Sequence, residues 1–142
     1  VFFYFKQKDK LRDSLAGLLK GLLIQLIQQS PEVIPYILDE FSKTVDNKIE
    51  SVETLSRVTE IVIESTRPTM VILDGLDKCD KKERKHILAW IRRILVQADQ
   101  SRPLRVFISS QDEEDIRTKR SKGPSSSLDE MVGHRHKISV YV

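Results

Sequence analysis

Apolar side chains recur along this chain with helical spacing in some stretches and as short unbroken runs in others, and the alternation of the two predicts an α/β fold. Leu15, Leu18, Leu19, Leu22, Leu23, Leu26 and Ile27 form a wide helical stripe able to cover one sheet face. The stripe stops at Ser30-Pro31, where Ser30 is expected to cap and Pro31 to open a second helix burying Val33, Ile34, Ile37, Leu38 and Phe41. A third helix, about Val52 to Glu64, offers Leu55, Val58, Ile61 and Val62. A fourth, Lys81 to Gln100, offers Ile87, Trp90, Ile91, Ile94 and Leu95, with Lys82, Arg84, Lys85, Arg92 and Arg93 mostly on other faces. Thr66-Arg67-Pro68 breaks the chain ahead of the apolar run Met70 to Leu73, which suits a strand buried on both faces, although so short a run is also compatible with a helix. Similar runs span Phe2 to Phe5 and Leu104 to Ser109. The fourth helix is long enough for a right-handed crossover, so Phe2 to Phe5, Met70 to Leu73 and Arg105 to Ser109 are predicted to be parallel strands of one sheet with helices on its faces.

Chemistry enters at M-V-I-L-D-G-L-D-K-C-D, Met70 to Asp80. Asp74 would sit at the carboxyl end of its strand, the edge where open α/β sheets bind ligands and where an acidic residue of P-loop NTPases helps hold magnesium on nucleotide phosphates. Gly75 keeps the crevice open and Asp77 adds a second carboxylate one short loop away. An ordinary buried strand, an Asp-rich turn and an Asp80 helix cap account for the same residues. The Ser109-Ser110-Gln111 terminus of the next strand would lie beside Asp74.

Three separated segments resemble the NACHT-type nucleotide-binding domain of STAND signalling NTPases, above all the nephrocystin-like NACHT proteins of filamentous fungi. The opening V-F-F-Y-F, followed by a helix ending in L-L-I-Q-L, is similar to that family's aromatic strand and following helix. V-I-L-D-G-L-D-K-C-D resembles its Walker B pattern, and R-V-F-I-S-S-Q-D-E-E-D-I-R its sensor strand. The resemblance implies a partial P-loop three-layer sandwich over residues 1–142, with the phosphate loop lying just before Val1. It also implies that Lys137 to Val142 is the start of a helix leading out of the core, whereas the alternation of Ile138, Val140 and Val142 alone favours a strand.

The same resemblance implies ATP or GTP with Mg2+ as cofactor, Asp74 as the magnesium-side residue, Asp77 as the residue left to orient water, and Ser110 and Gln111 at the phosphate-sensing position. Slow nucleoside-triphosphate hydrolysis in the full-length protein, not by residues 1–142 alone, stays open if Asp77 orients water and Lys78 points to solvent. Two departures count against hydrolysis. Lys78 replaces the family's second acid, which helps polarise water, and Gln111 replaces an arginine that touches the terminal phosphate. The implied partners are the nucleotide, flanking effector and sensor domains, and further copies of the protein on activation, in a cytoplasmic switch of the kind used in fungal self-recognition or innate immunity. A non-enzymatic interaction module built on a degenerate NTPase fold is the alternative. No glycine among Gly17, Gly21, Gly75, Gly123 and Gly133 fits the G-x-x-x-x-G-K-[ST] spacing of a phosphate cradle. Gly17 and Gly21, four apart, read instead as a close-packing helix face.

Composition changes little. A chain of 142 residues with 32% charged residues and net charge +3 reads as one domain or part of one. The single cysteine, Cys79, excludes an intrachain disulfide, fits a reducing compartment, and reads as a small residue packed behind the Asp-rich turn. Membrane insertion is not expected, since Leu11 to Ile27 is interrupted by Arg12, Asp13, Lys20 and Gln25. The stretch R-T-K-R-S-K-G-P-S-S-S reads as a surface loop. Its Arg117, Lys119, Arg120 and Lys122 lack the interleaved aromatics that would recommend nucleic acid. His134 and His136 lack companion metal ligands, and Ser109 and Ser110 lack a nucleophile elbow.

Overall fold

The periodic segments fold in the order β1 (Phe2–Tyr4), α1 (Leu15–Gln29), α2 (Ile34–Ser42), α3 (Val52–Ser65), β2 (Met70–Asp74), α4 (Lys81–Gln97), β3 (Arg105–Gln111), β4 (Ser125–Ser127) and β5 (Ile138–Tyr141). The structure, a computed structural model, describes residues 1–43, 51–66, 70–97, 104–111, 125–127 and 138–141. Arg117, Lys119, Arg120, Lys122, His134 and His136 lie outside the described residues.

The three predicted strands are parallel neighbours. Phe2 pairs with Ile72 and Tyr4 with Asp74, while Met70 pairs with Arg105 and Asp74 with Ser109. β5 adds antiparallel to β3, and β4 pairs with β5, giving the order β1-β2-β3-β5-β4. The helix start expected at Lys137 to Val142 is therefore a strand over Ile138–Tyr141. Its alternating β-branched residues suit a ladder, and β3 has an edge for them to pair with.

Helix starts follow side-chain caps. The Ser14 hydroxyl accepts the Gly17 N–H at 3.2 Å, Ser51 accepts that of Thr54 at 3.1 Å, and Asp80 accepts those of Lys82 and Glu83 at 2.9 and 2.8 Å. Ser30 departs from expectation. It closes α1 through its own N–H to the Leu26 carbonyl, its side chain caps nothing, and Pro31–Val33 form a 3-10 turn before α2 begins at Ile34. Pro35 supplies the reason, because a helix opened at Pro31 would carry a second proline in its interior; restarting at Ile34 keeps Pro35 in the first turn. α2 then buries Val33 and Ile37 beside it but leaves Ile34 and Leu38 exposed, contrary to the predicted stripe.

Leu18, Leu19 and Leu22 of α1 are wholly buried against Phe3, Phe5, Val71 and Leu73, with Ile87, Trp90 and Ile91 of α4 completing the main core. A smaller cluster, Leu23, Leu26, Val33, Ile37, Val58 and Val62, joins α1, α2 and α3. Close approach of α1 to β1 depends on Gly21, where an added Cβ would come within 2.8 Å of the Phe3 ring. Among the described residues the helices cover one sheet face only. Met70 and Ile72 are 50% and 39% exposed, so β2 alternates open and buried where burial on both faces, and a third layer, was expected. A continuous apolar run suits two covered faces, but the described helices supply one cover. No helix among the described residues is long and apolar enough to cross a membrane.

Candidate functional site

Parallel pairing of β1, β2 and β3 gathers their carboxyl ends at one sheet edge. Asp74 ends β2, half-buried, opposite Ser109. Its main chain is fixed from both sides: its carbonyl accepts the Phe5 N–H at 2.9 Å, and the following Gly75 N–H donates to the Ser109 carbonyl at 2.9 Å. The Asp74 carboxylate has no hydrogen-bond or ion-pair partner among the described residues. By strand alternation it shares the uncovered face with Met70 and Ile72.

The turn after Asp74 needs glycine. Gly75 has φ +75°, and a Cβ there would lie 3.3 Å from the Phe5 carbonyl oxygen, so the left-handed bend strains any side chain and the close approach leaves it little room. A 3-10 turn, Leu76–Lys78, then sends Leu76 into the core and Asp77 back toward β3.

Asp77 is fully engaged. Its Oδ1 accepts the Gln111 N–H at 3.1 Å, and its Oδ2 lies 2.7 Å from Lys78 Nζ. Burial raises the Asp77 pKa, but the Lys78 ammonium and the Gln111 N–H outweigh it and hold the carboxyl below the ordinary aspartate value. Lys78, which a solvent-facing reading would leave free, folds back as the counter-ion of its neighbour. The pair ties the turn to the end of β3.

The predicted sensor residues separate by alternation. Ser110 is buried, with its hydroxyl donating to the Gln111 carbonyl at 2.8 Å, whereas Gln111 is exposed. Ser109, paired with Asp74 and half-buried, is the hydroxyl residue of β3 in register with that carboxylate.

Two supporting residues escaped the sequence reading. Arg84, assigned there to a polar helix face, is buried under the turn, where its Nη1 donates to the Asp77 and Cys79 carbonyls at 3.2 Å each. Glu83 falls three residues after Asp80, as in a capping box, but its carboxylate reaches across to accept the Leu15 N–H at 2.9 Å and anchors α1 to α4. Cys79 is packed behind the turn as expected, and burial pushes its thiol up to about 12, which leaves it unreactive at neutral pH.

The residues present fit a magnesium ion in part. Magnesium takes one or two protein carboxylates and completes its shell with phosphate and water oxygens, which one unpaired strand-end aspartate satisfies. No group of three or more potential metal-ligating residues occurs among the described residues, so a closed protein cage is not what this edge offers. A polar hollow of about 340 Å³ beside the turn is lined by Asp13, Asp80 and Glu83 against Lys8 and Lys78. Its three acids to two cations disfavour phosphate.

A family model described as Nephrocystin 3, N-terminal matches residues 1–111. Comparison with curated proteins and with solved structures gives no match.

Proposed function

We propose, from the premise that this chain belongs to the Nephrocystin 3, N-terminal family, that it forms the Walker B and sensor edge of a NACHT-type nucleotide switch. The observation carrying this reading is the unpaired Asp74 carboxylate at the carboxyl end of the middle parallel strand, in register with Ser109. Asp74 would hold magnesium, which supplies positive charge to the phosphates of ATP or GTP. Ser109 and the exposed Gln111 side chain would meet the phosphate end. The backbone cradle must come from residues other than these, since the five glycines do not fit its spacing. Flanking effector and sensor domains would read the nucleotide state, with self-association on activation.

The reading is one of binding without turnover. A water-orienting carboxylate needs an accessible lone pair, and the Asp77 side chain is 6% exposed with each oxygen already holding Gln111 or Lys78. That arrangement also favours the second reading, a nucleotide-free interaction module in which Asp77 is purely structural.

Paramagnetic broadening separates the two at weak affinity. With Mn2+ and ATP or GTP added, amide signals of Asp74, Gly75 and Ser109 should broaden in the wild-type chain and stay sharp in Asp74→Asn. Without a cradle the dissociation constant of the chain should be weaker than about 1 mM. Equal broadening in both proteins, or none in either, would overturn the Walker B reading and leave the interaction module.

A further inference from the structure

The outer edge of β1 carries an unfinished ladder. The Val1 carbonyl accepts the Ile72 N–H and the Phe5 N–H donates to Asp74, so the alternating Phe2 and Tyr4 main-chain groups point away from the sheet. At Phe2 the place of a neighbouring strand is taken by one side chain. Gln25 accepts the Phe2 N–H at 3.0 Å through Oε1 and donates to the Phe2 carbonyl at 2.7 Å through Nε2, as a peptide backbone would. At Tyr4 the outward N–H and carbonyl have no partner among the described residues.

Alongside this edge lies a groove of about 420 Å³ between β1 and α1, with Phe2, Tyr4, Leu11 and Ile24 among its lining residues. These four are exposed apolar side chains. One end of the groove is the β1–α1 loop, through Leu11 and Arg12. That loop holds four basic residues, Lys6, Lys8, Lys10 and Arg12, against two acids, Asp9 and Asp13. Arg12 approaches Asp9 at 4.0 Å; Lys6, Lys8 and Lys10 are exposed, and no ion pair joins them to an acid among the described residues. The loop is closed by the Lys6 N–H to Arg12 carbonyl bond at 2.9 Å and by Lys8 at φ 61°, a left-handed backbone uncommon for a residue with a side chain.

We infer that β1 and this groove accept an extended acidic peptide segment of a partner protein, which adds as a strand outside β1 and displaces the Gln25 carboxamide. The open main-chain groups supply affinity, as in strand addition generally. Alternate apolar side chains of the peptide would rest on Phe2, Tyr4, Leu11 and Ile24. The groove lining includes Arg12 and Lys20 and no acid, and Lys6 and Lys10 of the adjoining loop are exposed, so acidic segments are selected over basic ones. This inference does not depend on nucleotide binding.

Fluorescence anisotropy with a labelled ten-residue peptide of alternating Glu and Val tests it. Binding to the wild-type chain is expected, at least about tenfold weaker for a Lys-Val peptide and for the Glu-Val peptide N-methylated at alternate residues, which keeps charge but loses backbone donors. Gln25→Ala should tighten binding several-fold by removing the internal competitor, and the Lys6→Glu, Lys10→Glu double variant should weaken it about tenfold. Lys6 and Lys10 are exposed and Gln25 is half-buried, and the N-methylated peptide tests the untouched protein. Equal binding of the methylated and unmethylated peptides would reduce the attraction to charge alone and overturn strand addition. Absent binding of the Glu-Val peptide at millimolar concentration, or weaker binding in Gln25→Ala, would overturn the proposal as well.

Discussion

The two faces of β2 divide the labour of this molecule. Val71 and Leu73 point under the helices and are wholly buried, whereas Met70, Ile72 and Asp74 alternate to the uncovered side. The turn that follows repeats the contrast in carboxylates: Asp77 is locked between Gln111 and Lys78, and Asp74 is left without a partner. Burial and satisfied hydrogen bonds commit a residue to stability. An unpaired carboxylate at the carboxyl end of a parallel strand contributes little to the fold.

The largest break of this comparison should come from Leu73→Ala, which deletes a buried side chain between α1 and the sheet and should lower unfolding free energy by about 2–5 kcal/mol in urea titration. Asp77→Ala should follow, at about 1–3 kcal/mol, because the Gln111 N–H at the end of β3 and the Lys78 ammonium both lose a charged hydrogen-bond partner. A loss as small as that of a surface substitution would show that the turn is not clamped through this carboxylate.

Acid sharpens the same contrast. The Asp77 pKa is depressed in the folded protein, so its stabilisation is fully present above the ordinary aspartate value of about 3.9 and is lost as pH falls through the lower folded value. Stability measured from pH 6 downward should fall less steeply in Asp77→Asn than in the wild type; parallel curves would remove Asp77 from the acid limb.

The smallest effects belong to the open side. Ile72→Ser and Asp74→Asn should each stay within about 0.5 kcal/mol of wild type, since neither side chain is buried or hydrogen-bonded. A loss of several times that amount in Ile72→Ser would mean that the apparently open face is covered in solution.

Much of this was legible in the sequence because it rests on local spacing. Leu18, Leu19 and Leu22 fall on one helical face, and only a strand explains an apolar run as short as Val71 to Leu73 once helical crossovers flank it. Gly75 reads from sequence as keeping the crevice open, and the structure gives it a left-handed bend. The site was less legible. Sequence adjacency places Ser110 and Gln111 at the strand end, but the pleat turns Ser110 into the core and sets Ser109 beside Asp74. Arg84 reads as a solvent cation by periodicity, and becomes buried because the carbonyls of the 77–79 turn need donors.

By itself, the sequence determined the helices, the three parallel strands and the concentration of carboxylates at the end of one of them, because helical and strand periods and turn chemistry act between residues a few positions apart. Tertiary structure alone decided which sheet face is covered, that Ile138–Tyr141 pairs with β3, that Gln25 seals Phe2 and that Asp77 rather than Asp74 accepts the Gln111 N–H. Those outcomes join groups far apart in the chain, and which partner a buried donor or charge finds is set by where the packed elements bring it, not by its neighbours in sequence.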